Sequence, residues 1–124
     1  LLEELATLPS AAERLQAFLD RSADWSTRNR HYLGPYLRLR VGEMGTPYDL
    51  DAPTRSGIER IFTRFIREGQ QSGEFRSDLD TTAAVHYLEF LYLAALMRWL
   101  NGAEESLHRE FDTVLALYLR GMQP

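Results

Sequence analysis

Residues 80–100 read DTTAAVHYLEFLYLAALMRWL and are followed by Asn101-Gly102. Asp80 is a good N-cap and Gly102 is a usual helix stop, so the stretch is predicted to be one helix. At about 1.5 Å per residue it is roughly 30 Å long, about the width of a small domain. Only His86, Glu89 and Arg98 interrupt its apolar content. With about 100° between residues, Ala84, Leu88, Leu91, Ala95 and Trp99 share one stripe, and Ala83, Tyr87, Phe90 and Ala94 form a second beside it. A surface helix carries one such stripe. Two stripes call for cover on two sides, and in so short a chain the second layer is expected from another subunit. A bilayer is not that cover: the uncharged run from Phe90 to Met97 is far below the roughly 20 residues a span needs.

The flanking sequence continues in the same manner. Leu107, Phe111, Val114, Leu115, Tyr118 and Leu119 keep helical spacing up to Arg120-Gly121. Upstream, Ile58, Ile61, Phe62, Phe65 and Ile66 follow the i, i+3, i+4, i+7, i+8 pattern. Pro53, or Ser56 with Glu59, is the expected start of that helix, and 70–73 its end. Residues 74–79 read as a short connector, and 45–52, with Gly45, Pro47, Asp49 and Asp51, as a loop. Ser10 and Glu13 form a capping box for a helix carrying Leu15, Phe18, Leu19, Ser22 and Trp25 to about His31. Gly34-Pro35 is expected to end or kink it, with a helical continuation to about Met44. Leu1, Leu5 and Leu8 share one side of a helix tail broken at Pro9-Ser10. No segment alternates long enough for a strand. The chain is expected to be an all-α bundle of five to six helices in a single domain spanning residues 1–124.

The 124 residues suit one core, and 44% hydrophobic with 26% charged residues is ordinary for a globular chain. With no cysteine there is no disulfide framework, thiol nucleophile or Cys-based zinc site, which suits a cytoplasmic protein. All 14 basic residues are Arg, and the net charge is −4. That balance argues against this chain gripping nucleic acid by itself.

Little in the sequence points to catalysis. Glu105 and His108 have the Glu-x-x-His spacing of di-iron bundles, but those sites need two such motifs and two more carboxylates. Glu105 falls in the polar first turn of the last helix, so a solvated pair is expected. His86 and Glu89 share a face, yet two ligands do not make a metal site; a partly exposed strip accounts for them. No nucleophile elbow or phosphate loop is present. The chain is read as no enzyme, with no cofactor and no metal. Aromatic residues say more. Trp25, Tyr32, Tyr36, Phe62, Phe65 and Tyr87, with Phe90, come from four helices and could line a shared small-molecule cavity. Plain core packing is the competing reading. Arg38 and Arg40 are read as surface residues, with the anchoring of an acidic ligand as their alternative role.

The connector Gly73-Glu74-Phe75-Arg76-Ser77-Asp78-Leu79-Asp80 resembles the Gly-x-Phe-x-x-Asp-x-Asp entry to the long penultimate helix of TetR-family transcriptional regulators. Arg98-Trp99-Leu100 before a glycine is similar to that helix's exit, and Leu119-Arg120-Gly121-Met122 to the family's closing turn. The likeness covers about 55–122, and the first half agrees only in helix order. Ala94 stands where the family usually carries a smaller residue, often Gly. The resemblance implies an effector-binding and homodimerisation domain. It implies that 1–8 end a helix arriving from an N-terminal helix-turn-helix domain, the part that would contact DNA. The last two helices of each copy would form a four-helix bundle, with Leu88, Tyr92, Ala95, Leu96, Trp99, Phe111, Val114 and Tyr118 at its interface. A small apolar effector would sit under the helices from Ser10 to Gly73. Repression and activation stay equally open, and so does a ligand-free dimerisation or protein-interaction domain. No membrane association is expected.

Overall fold

A computed structural model of the chain describes residues 2–43 and 57–124. The chain is an all-α helical bundle of six helices among these residues, with no strand among them: α1 (Leu2–Leu5), α2 (Ala11–Arg28), α3 (Arg30–Glu43), α4 (Gly57–Ser72), α5 (Thr81–Leu100) and α6 (Leu107–Met122). The loop expected at 45–52 and the starts expected at Pro53 or Ser56 lie outside the described residues. No helix among them is long and apolar enough to cross a membrane.

The helix ends follow local chemistry. Ser10, Asp80 and Ser106 each accept a hydrogen bond from the amide three residues on, which satisfies one of the orphan donors of α2, α5 and α6. At the far end of α5, Gly102 adopts φ +80°, its amide reaching Trp99 O at 3.1 Å while that of Ala103 reaches Arg98 O at 2.9 Å. This is a Schellman cap, and a side chain at Gly102 would strain it. Pro35 brings one correction. The helix break falls at Asn29, and α3 runs through Pro35. Pro35 and His31 are both exposed, so the carbonyl that loses its amide partner faces water and the helix continues.

The connector of 74–79 holds three helices in register. The Glu74 carboxylate accepts from the amides of Ala11 and Ala12, at 2.7 and 2.9 Å, capping α2 from a distance. Phe75 is buried against Gly69 of α4, where a Cβ would lie 2.2 Å from the ring. Arg76 makes a two-pronged bond to Asp78, and its amide donates to Met122 O at the end of α6. Glu74, Phe75, Arg76 and Asp78 therefore each have a folding role.

In the bundle α5 packs against α3, α4 and α6, and α2 packs against α4 and α6. Leu15 and Leu19 of α2, Phe62 and Ile66 of α4, Leu88 and Leu96 of α5 and Phe111 of α6 are wholly buried. Tyr92 stacks on Phe111 with ring centroids 5.2 Å apart, and the Tyr118 hydroxyl donates to Ala84 O at 2.6 Å.

The buried residues of α5 run from Ala84 through Leu88, Tyr92 and Leu96 to Trp99, with Glu89 and Leu93 beside them. At about 100° per residue they cover roughly half the circumference, all of it filled by the chain's own helices. The stripe left uncovered is Ala83, Tyr87, Phe90 and Met97, with Ala94 partly covered. All eight residues expected at a dimer interface, from Leu88 to Tyr118, thus lie in the chain's own core, none more than 8% exposed. Helical spacing identified the two stripes correctly but not which one the chain covers itself.

Candidate functional site

A cavity of about 830 Å³ opens between α2, α3 and α5 beside the start of α4. Its size is within the range of small-molecule sites, about 300–1,000 Å³. The inner wall of α2 is Phe18, Ser22 and Ser26, successive turns of one face. Leu33 and Tyr36 of α3, Ile58 of α4 and Tyr92 of α5 complete the interior. Trp25 and Tyr32, 51% and 59% exposed, stand at the mouth with Arg21, Asp24 and Arg28.

Three of the cavity's hydroxyls, those of Ser22, Tyr36 and Tyr92, are engaged. Tyr92 and Ser22 share a hydrogen bond of 2.7 Å. Burial raises the Tyr92 phenol above its ordinary pKa, so it stays protonated. Burial also raises that of Tyr36, whose hydroxyl interacts with the Arg40 guanidinium behind the wall. Asp24 pairs with His108 Nε2 at 2.8 Å, tying α2 to α6. That hydrogen bond raises the His108 pKa and favours the imidazolium.

Of the six residues expected to line a ligand site, the structure brings Trp25, Tyr32 and Tyr36 to the cavity. Phe62 lies one layer behind, fully buried, with edge contacts to Phe18 and Tyr92 at 5.6 and 5.8 Å between centroids. Phe65 is fully buried and does not line the cavity. Tyr87 is 68% exposed on the uncovered stripe of α5. The last two corrections have one cause. Aromatic content marks helices that bury area, but the sequence does not say which turn faces a void. Phe18 and Tyr92 were missed as lining residues; the i+3/i+4 spacing of Phe18, Ser22 and Trp25 was their available signal.

Behind Tyr36 lies a cluster that the sequence reading did not anticipate. Arg40 of α3, Glu59 of α4 and Glu89 of α5 are 4%, 1% and 1% exposed. Arg40 Nη2 donates to both carboxylates, joining three helices. Burial would lower the Arg40 pKa, but its bonds to Glu89 and Glu59 outweigh that and hold it raised. Burial raises Glu89 most strongly, with Glu59 adding repulsion and Arg40 opposing, and the result is a pKa of about 7. Glu89 Oε2 is buried with no hydrogen-bond partner among the described residues. Arg40 is therefore neither a surface residue nor a ligand anchor, whereas Arg38 is exposed. Glu89 is not part of an exposed strip, and the ring of neighbouring His86 stacks on Phe90 at 4.7 Å.

No family model, curated protein or solved structure matches this chain. The Glu-x-x-His pair does not sit on one helix: α6 begins at Leu107, after Glu105, and His108 turns to Asp24. Among the described residues no three His, Asp or Glu side chains converge in a way that could hold a metal ion.

Glu89 gives the domain an expected pH dependence. Its folded pKa of about 7 lies above the ordinary 4.5, so the folded state binds the proton more tightly. That stabilisation is complete below about pH 4.5 and is lost as pH rises through about 7. His108, raised by its hydrogen bond to Asp24, acts in the same direction. The melting temperature should fall between pH 5 and pH 8, and Glu89→Gln should flatten most of the slope. A melting temperature that is level or rises over this interval would exclude a proton-holding Glu89.

Proposed function

We propose that this chain is an effector-binding and dimerisation domain of a TetR-like transcriptional regulator. In this reading a small, mainly apolar molecule occupies the cavity between α2, α3 and α5. The supporting observation is the cavity itself, with aromatic walls and a mouth framed by Trp25 and Tyr32. A filled helical core has no such void. Occupancy would act on an attached DNA-binding domain by favouring one arrangement of the helices over another, to the extent of its differential affinity for the two. Any ligand at about 100 times its Kd should stabilise the domain by roughly 2.7 kcal/mol, visible as a melting shift. Ile58→Trp, which places a large ring in the cavity, should abolish the shift while the apo protein still melts cooperatively. A compound that shifts Ile58→Trp as much as wild type would bind elsewhere.

The dimer in this reading uses the uncovered stripe. Tyr87, Phe90 and Met97 of α5 and Leu117 of α6 are exposed large apolar residues, and Leu91 and Ala94 border a groove between the two helices. Such a face on two adjacent helices is suited to a self-complementary contact between copies. An obligate interface of this kind would bury about 2,000 Å² or more in total. Wild type should sediment as a dimer at micromolar concentration, and Phe90→Asp with Leu117→Asp as a folded monomer. A wild-type monomer in that experiment removes the dimer.

The same stripe favours a second reading, a helical protein-interaction domain without an effector. The two readings part at the cavity, since only the first requires it to be filled by a ligand.

A further inference from the structure

The charges at the cavity mouth are unevenly matched. Arg21, Trp25 and Arg28 recur at i, i+4 and i+7 on α2, so two guanidinium groups flank the exposed indole on one stripe. Asp24, the acid beside them, is engaged by His108 of α6. Arg21 pairs with Glu4 across two exposed side chains, a contact worth little and readily redirected. Arg28 has no acidic partner among the described residues, and its side chain is exposed at the mouth. Inside, the Tyr92 and Ser22 hydroxyls satisfy each other, and Tyr36 is engaged by Arg40. The interior thus offers mainly apolar faces, and the mouth offers a cation with no acidic partner among the described residues.

We propose that the ligand is an anionic amphiphile, its apolar body between the rings of α2, α3 and α5 and its carboxylate or similar anionic head at Arg28. This rests on the reading of the cavity as a ligand site and adds the class of molecule it takes. A guanidinium matches a carboxylate with two parallel hydrogen bonds, and Arg28 shares the mouth with the Trp25 and Tyr32 rings. Arg21 lies two turns away and reinforces the positive potential at the entrance. A cationic head would meet Arg28 and Arg21 at the same place.

The test compares decanoate, decanol and decylammonium, each below its micellar range, binding to the full chain at low salt. Calorimetry gives the affinities, and a tryptophan emission change that is lost in Trp25→Phe reports occupancy of the mouth. Decanoate should bind about fivefold more tightly than decanol, and decylammonium most weakly. Raising the salt should shrink the difference, because a partly exposed pair is screened. Arg28→Gln should bring decanoate down to the affinity of decanol, and Arg28→Lys should retain part of the preference. Decanol binding as tightly as decanoate, or decylammonium binding best, overturns the anionic assignment and leaves the cavity as a ligand site. Binding by none of the three overturns both.

Discussion

Replacing Arg40 by Met should destabilise the domain by about 3–5 kcal/mol at pH 7, read as a lower urea midpoint. The reason is what remains. Glu59 and Glu89 would face each other in the core without the guanidinium that both accept from. Much of the loss should disappear in the triple variant Arg40→Met, Glu59→Gln, Glu89→Gln, which removes the buried charges together. If the single substitution is harmless, the three helices are not joined through this cluster. If the triple variant is no better than the single, lost packing is the cause and buried charge is not. The outcome bears on the cavity too, because Arg40 engages the Tyr36 hydroxyl on its inner wall.

Phe62→Ala should cost about 3–5 kcal/mol of stability in the apo protein, the range for a large aromatic removed from a filled core. Phe62 is wholly buried and supports Phe18 and Tyr92, both cavity residues, by edge contacts. Truncation should therefore loosen the cavity wall as well, and ligand affinity should fall along with stability. Tyr87→Ala makes the contrast. That ring is 68% exposed, so its loss should change monomer stability by no more than about 0.5 kcal/mol. Chemical denaturation of the two variants side by side gives the comparison. Equal losses would mean that Phe62 does not sit in a filled core.

Much of the fold is legible in local sequence. Asp80 and Ser10 announce helix starts because the cap is a bond between residues three apart, and Gly102 announces a stop because few residues but glycine tolerate its φ. The apolar period of Phe62, Phe65 and Ile66 likewise belongs to one segment. A smaller part of the candidate site is legible on the same terms: Trp25, Tyr32 and Tyr36 stand out as aromatic residues with polar handles on neighbouring helices. The rest depends on contacts between segments far apart in the chain. Arg40, Glu59 and Glu89 meet across separations of 19 and 49 residues from Arg40, and each looks locally like an ordinary charged residue on a helix.

The sequence by itself determined an all-α chain, the start of α2, both ends of α5 and the two apolar stripes of α5. These are set by backbone hydrogen bonding and by a period of 3.6 residues, which are local. Only the tertiary structure decided that the stripe from Ala84 to Trp99 lies within the chain's own core and that Tyr87, Phe90 and Met97 remain outside. It also decided that Phe65 fills space where Trp25 borders it, and that a glutamate among leucines is buried against an arginine. A helical period states which residues share a face. What that face meets depends on how α3, α4 and α6 pack around it, and no single segment carries that information.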